Sequence, residues 1–292
     1  RRAEFVDFSP PEGLRFRTPV HHTLRMVREP IVAGILYPSQ PMLLRRMVQR
    51  LLMESPTISG SALALLLPYG HYESVGSLIA AGMKRVAASE PKRILLIASP
   101  TANAPDGVYL PRVTAFATPL GRISVDAGAV ELLSSLGAQA DDLLHLQEHV
   151  LELHLPFLAH LFPSTPILPL LLQIRDGEGL GRATALLSSL GEEFLSETLI
   201  IVSSNTSSFS ENRQAGQESR RFIGAALTHN AAPLMQGYRA SLISGAGPIA
   251  LLCNLLPPNT VATILGRNRH HTYEGGITFA IEYASIVFDV PR

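Results

Sequence analysis

Short aliphatic runs alternate with amphipathic stretches along most of this chain, and that alternation restricts the fold more than any other feature. The runs are "SALALLL" (61–67), "RILLIAS" (93–99), "PILPLLL" (166–172), "TLIIVSS" (198–204), "TVATILG" (260–266) and "ITFAIEYASIVF" (277–288). Runs this apolar suit strands covered on both faces. Between most of them apolar residues recur at helical spacing, over 40–54, 74–89, 127–136, 148–162, 179–195, 215–243 and 247–256. Parallel neighbours need crossover connections, so strands alternating with helices predict an α/β fold. The expected form is a single-domain three-layer αβα arrangement with a largely parallel central sheet.

No Gly-rich, Ser-rich or charged run marks a linker and no fixed-period repeat occurs, so residues 31–292 read as one domain. Residues 1–30, with Pro10, Pro11 and Pro19, read as an arm that packs on its neighbour or on a partner subunit. The stretch 106–126, "DGVYLPRVTAFATPLGRISVD", has the short alternation and turn residues of a hairpin or edge strands.

Charge excludes several roles. The 24 Lys and Arg residues balance 24 Asp and Glu, so no overall field draws the chain to nucleic acid or to an anionic membrane. Arg45, Arg46 and Arg50, with Arg25 and Arg28 upstream, read as the solvated face of a helix. No apolar run reaches the roughly 18–20 residues needed to span a bilayer. The start "RRAEFVDFSPPEG" lacks the apolar block of a signal peptide. Cytoplasmic residence is the expectation. A single cysteine, Cys253, excludes an internal disulfide and Cys-pair metal motifs, and its apolar neighbours mark it as a core residue.

Ligands of open parallel sheets sit beyond the carboxyl ends of the strands. That directs attention to the loops 68–76, 99–107, 203–210 and 244–247. The cluster at 203–210, "SSNTSSFS", is almost entirely hydroxyl and amide, with no base near neutral pH and no strong metal donor. Elsewhere, His149 and Glu152 are spaced i to i+3 on the predicted helix 148–162 and share a face, a spacing that serves a metal or a proton relay. The structural alternative puts Glu148 and Glu152 in the favourable first turns, with His154 and His160 on the helix surface. His270 and His271 are expected in a solvated loop. Ser74 lacks the glycine two places earlier that a nucleophile elbow needs, because Tyr72 stands there, and is expected to cap the following helix. "GEGLGRATALL" (177–187) misses a dinucleotide fingerprint because Arg182 takes the place of the third glycine.

Several segments, in order, resemble the Memo family, whose fold is that of the class III extradiol dioxygenases with non-haem iron. They are "VAGILYP" (32–38), "PYGHYESVG" (68–76), "SPT" (99–101), "TPLGRISVD" (118–126), "EHVLELHLPF" (148–157) and "VSSNTSSF" (202–209). The resemblance spans about residues 30 to 290. It implies a dioxygenase-like fold, and it places Tyr69, Ala102, Asn205, Ser208 and, less directly, Ser244 where the family carries metal-site histidines, an aspartate and a cysteine. Iron sites use imidazole, carboxylate or thiolate donors. A protonated tyrosine, an amide, two hydroxyls and a methyl group supply none of these.

Three readings of function follow. In the first, the chain is a binding or scaffold protein without dioxygenase-type catalysis, with no cofactor and with a neutral polar pocket lined by Tyr69, His71, Ala102, Ser204, Asn205, Ser208 and Ser244. The resemblance implies a protein partner for it, a homodimer is a second expectation, and the small ligand is unspecified. In the second, an enzyme centre has moved to His71, His149, Glu152 and His154, with iron, copper or zinc as its cofactor; His71 stands two residues beyond Tyr69, a step that keeps one face of an extended chain while moving about 6 to 7 Å. In the third, a metal-free hydrolase or lyase pairs His149 with Ser74 or Ser204, which requires nucleophile and base within hydrogen-bond reach.

Overall fold

The computed structural model describes residues 26–57, 62–208, 210–230, 232, 234, 235 and 245–290. Four strands form the middle of its main sheet: β2 (Ala62–Leu67), β3 (Arg93–Ala98), β8 (Ile167–Gln173) and β9 (Thr198–Ser203). They run parallel in the order β2-β9-β3-β8. The flanking pairings are antiparallel except the last at one edge. On one side β12 (Ile277–Asp289) pairs β2 and carries β10 (Ser210–Glu211) and β11 (Val261–Glu274); on the other, β4 (Gly107–Leu110) pairs β8 and leads to β7 (Gln139–Ala140), which is parallel to β4. The segment 106–126 contributes β4 and the hairpin of β5 (Ala115–Thr118) with β6 (Gly121–Ser124), which also takes in β1 (Val27–Arg28).

Side chains of a strand alternate between faces, and here both sets are apolar. Leu65, Leu67, Ile94, Leu96, Leu199 and Ile201 enter one core with α1 (Pro41–Glu54), α2 (Tyr72–Val86) and the segment 150–162. Ala64, Leu66, Leu95, Ile97, Ile200 and Val202 enter a second core with α6 (Gly177–Ser188), α8 (Asn212–Leu227) and α9 (Ala246–Leu255). Two cores on opposite faces of one sheet give the three-layer α/β arrangement that the alternation predicts. Cys253 lies in the second core region, and burial pushes its thiol up to about 11. Among the described residues no helix is long and apolar enough to cross a membrane.

Several expectations need correction. The helix predicted at 148–162 exists only as a single 3-10 turn, Glu152–His154, followed by α5 (Leu155–Leu161), so His149 and Glu152 do not share a helix face. The cause is Glu148, whose carboxylate accepts the backbone N–H groups of His149 and Val150 and holds the chain extended there. The helix predicted at 179–195 breaks at Gly191, with φ +88°, into α6 and α7 (Glu192–Ser196). His270 and His271 lie on β11 rather than in a loop, because the turn falls later, at Gly275 and Gly276, whose φ angles of +59° and +83° only glycine adopts readily. Helix α2 begins at Tyr72 with His71 at its cap, leaving Ser74 inside the first turn. Residues 1–25 lie outside the described residues. Arg28, assigned to the arm and to a solvated face, is 1% exposed.

Candidate functional site

Strands β2, β9 and β3 end level, with Leu67 and Ala98 both opposite Ser203, so the three following loops converge over one crevice. The backbone N–H of Ser204 extends the ladder by donating to Leu67 O at 2.9 Å. One residue on, Asn205 turns its side chain across the gap, and its Oδ1 accepts the N–H of Tyr69 at 3.0 Å. Ser204 gives its proton to Asn205 O at 2.8 Å. Gly245, at the start of α9, presses on Ser204 so closely that a Cβ would stand 1.6 Å from its Oγ, so only glycine fits. Ser204 and Asn205 are thereby buried. Ser244 lies outside the described residues.

The loop after β3 is held by Glu148, a residue to which the sequence reading gave no part in the site. Its Oε2 accepts the N–H and the Oγ1 of Thr101, at 2.5 and 2.9 Å, while Oε1 accepts His149 N at 2.8 Å and Val150 N at 3.1 Å. A carboxylate 3% exposed with four donors is an organiser of two loops. Its only sequence signal was an acidic residue beside a histidine. Ala102, next to Thr101, is exposed. His149 stands at the crevice mouth, its ring edge-on to Tyr69 with centroids 6.1 Å apart and its Nδ1 3.4 Å from Glu148 Oε1.

The other candidates are committed elsewhere. Glu152 is fully buried and accepts Arg28 Nη1 at 2.8 Å, Tyr37 Oη at 2.8 Å, Val32 N at 3.0 Å and Ile31 N at 2.9 Å. Burial, then the Glu152 charge, holds the Tyr37 phenol well above the usual tyrosine range. Arg28 completes the cluster, donating Nε to His145 O at 2.8 Å and Nη2 to Glu148 O, with its guanidinium over the Phe116 ring. Glu152 therefore ties the 26–37 segment to the core and is closed to a substrate. His154 is also fully buried, beneath the crevice floor rather than on a helix surface. Its Nε2 lies 2.7 Å from Ser203 Oγ, and that hydroxyl donates to Val150 O at 2.9 Å, so Nε2 carries the proton and His154 cannot serve as base for Ser203. Burial pushes its pKa down to about 3.

His71 is exposed at the start of α2, in a depression of about 210 Å³ whose other walls come from residues 34–38, Met47, Tyr72 and Glu73. Ser208 is bonded through N–H and Oγ to Glu218 Oε2 of α8, at 3.1 and 2.9 Å. The structure thus brings Tyr69, Ser204 and Asn205 together, with His149 beside them, and does not bring together His71, His149, Glu152 and His154. Among the described residues, no three side chains drawn from His, Cys, Asp and Glu are placed to share a metal ion. The donor chemistry at 69, 102, 205 and 208 likewise does not fit iron: Ala102 has no donor, and the Asn205 and Ser208 oxygens are engaged within the protein. Among the described residues neither the Ser74 nor the Ser204 hydroxyl bonds a histidine ring: the Ser204 hydroxyl is spent on Asn205 O, and Ser74 meets His71 only through its backbone N–H, which removes the pairing a hydrolase would need.

Comparison with known proteins gives the chain its relatives. The family model described as Memo-like protein matches residues 28–263. A MEMO1 family protein of Thermotoga neapolitana is 26% identical over 249 residues, covering 79% of this chain and 88% of that protein. One from Methanopyrus kandleri is 24% identical over 283 residues, covering 90% and 99%. Among solved structures, an uncharacterized protein of Escherichia coli K12 superposes with a TM-score of 0.50 at 15% identity, covering 77% of this chain and 98% of that one, a likeness of fold.

Proposed function

We propose, from the premise that this chain belongs to the Memo-like protein family, that it acts as a cytoplasmic binding or scaffold protein that has left metal-dependent oxidation behind. One observation carries the reading: the Asn205 side chain, at the position the resemblance assigns to a metal-ligating aspartate, bonds the Tyr69 N–H on the facing loop. A carboxylate there would offer a charge to a cation. The amide offers a neutral oxygen that is already taken, so the two loops are held by the protein itself. With Ser204 and Asn205 buried and bonded within the protein, the half-buried Tyr69 and His149 at the mouth are the polar side chains that would meet a neutral polar ligand. A protein partner or a second copy of the chain belongs to the same proposal. Ile35 and Met42, 63% and 68% exposed, are side chains such a contact would cover.

The test is metal analysis of protein purified without chelator, followed by titration with Fe²⁺, Cu²⁺ and Zn²⁺ in a calorimeter. The expected result is substoichiometric metal and no saturable heat. Stoichiometric metal released by an Asn205 or Tyr69 substitution overturns the reading. A second reading, catalysis without metal, is favoured by the His149 and Glu148 pair at the mouth, where an imidazole nitrogen stands 3.4 Å from a carboxylate oxygen beside Tyr69. It requires turnover of some substrate that His149→Ala abolishes while leaving the fold intact.

A further inference from the structure

On the other face of β12 two arginines meet one carboxylate, and a third stands beside them. Successive residues of a strand point to opposite faces. Tyr283 faces Gly70, its Oη 3.7 Å from where a Cβ there would stand, so Glu282 faces α8 instead. Glu282, its side chain 6% exposed, takes Arg267 Nη2 on Oε2 at 3.1 Å and Arg269 Nη2 on Oε1. Arg269 Nη1 also donates to Asn212 Oδ1 at 2.9 Å, and Arg267 Nη2 lies 3.4 Å from Ser219 Oγ. Both guanidiniums are thus aimed, yet their side chains stay 45% and 43% exposed.

Arg220 of α8 comes to the same point from the helix side. The place a Cβ on Gly216 would occupy lies 3.4 Å from Glu282 Oε1, 3.5 Å from Arg220 Nη1 and 3.5 Å from Arg269 Nη2. Glycine at 216, with no side chain of its own, lets one Glu282 oxygen and the Arg220 and Arg269 guanidiniums converge on the same point. Among the described residues no carboxylate pairs Arg220. The nearby Glu218 is turned to Ser208 and Gln214.

We propose that Arg220, Arg267 and Arg269 form a binding site for a phosphate monoester, seated over Gly216 between α8 and the β11–β12 hairpin. Three guanidiniums around one carboxylate leave two positive charges, and a phosphate monoester carries about −1.5 to −2 near neutral pH. A single carboxylate ligand would satisfy half of that. The planar guanidinium fork suits phosphate oxygens, and the buried Glu282 holds two of the forks in place beforehand. The site adjoins the 203–208 loop through the Glu282 backbone, whose N–H donates to Ser207 Oγ and whose O accepts the Thr206 N–H, and Arg267, Arg269 and Glu282 lie past residue 263, where the family match ends. It goes beyond the proposed function and stands independently of it.

The experiment titrates the full chain with inorganic phosphate and with phenyl phosphate at constant ionic strength, read by calorimetry and by ³¹P line width. Expected are one saturable site for both, at least a tenfold loss of affinity in Arg220→Ala with unchanged thermal stability, a similar loss in Gly216→Ala, and much weaker binding of acetate. Wild-type protein that shows no saturable binding, or an affinity untouched by Arg220→Ala, overturns the proposal. Metal analysis, which decides the proposed function, has no bearing on either result.

Discussion

Asn205 Oδ1 and the Tyr69 backbone N–H, 3.0 Å apart, join the loop after β9 to the loop after β2. An acceptor lost from a buried amide leaves the donor unsatisfied, at about 1–3 kcal/mol. Asn205→Ala is expected to lower stability by that amount in urea unfolding, while Asn205→Asp keeps the acceptor and loses less.

Restoring donors tests whether the crevice geometry itself still suits a cation. A variant combining Tyr69→His, Ala102→His, Asn205→Asp and Ser208→His supplies imidazoles and a carboxylate, the donors that iron and zinc sites use. It is expected to bind Zn²⁺ saturably in calorimetry where the parent chain does not. Failure of the variant to bind would show that the loops have moved as well as their side chains.

The Arg28–Glu152 pair is closed to water, and removing one partner strands a buried charge at about 3–5 kcal/mol. Arg28→Ala is expected to shift the urea midpoint by that much, and Glu152→Gln by a comparable amount. Unchanged midpoints would mean that the segment 26–37 is not anchored as described.

Acid sensitivity follows from two buried histidines. Burial lowers His154 to about 3 and His145 to about 4, while the unfolded chain titrates near 6.5. Below about pH 6.5 the unfolded state takes up protons that the native state refuses, so stability falls as pH falls, until the native pKa values are reached. Each histidine adds a slope of about 1.4 kcal/mol per pH unit inside its window. Unfolding free energies measured from pH 7 to 4 are expected to show a slope that His154→Asn reduces by about one such increment.

Gly245→Ala places a methyl group into Ser204, and overpacking of this kind costs about 1–3 kcal/mol. Ser204→Ala is not expected to relieve it, since the Ser204 Cβ itself would be 2.3 Å away. Ser204→Gly is expected to rescue the variant, as measured by thermal unfolding of the double substitution.

The amino-acid sequence by itself determined the layers. Aliphatic runs such as 93–99 and 198–204 have no polar face, so each had to be covered on both sides, and the ordered segments between 32 and 209 carried the family and the three crevice residues Tyr69, Ser204 and Asn205. Tertiary structure decided what the charged groups do. Glu152 and His154 read alike as site candidates because a titratable side chain has the same identity in a core cluster as in an active site; only Arg28 and Tyr37, more than a hundred residues away, make the first a structural anchor, and only Ser203 fixes the proton on the second. The same holds for Glu148, whose role depends on Thr101 arriving beside it. Local pattern records which surfaces must be hidden, whereas the partner of a buried charge is set by long-range packing that no spacing along the chain encodes.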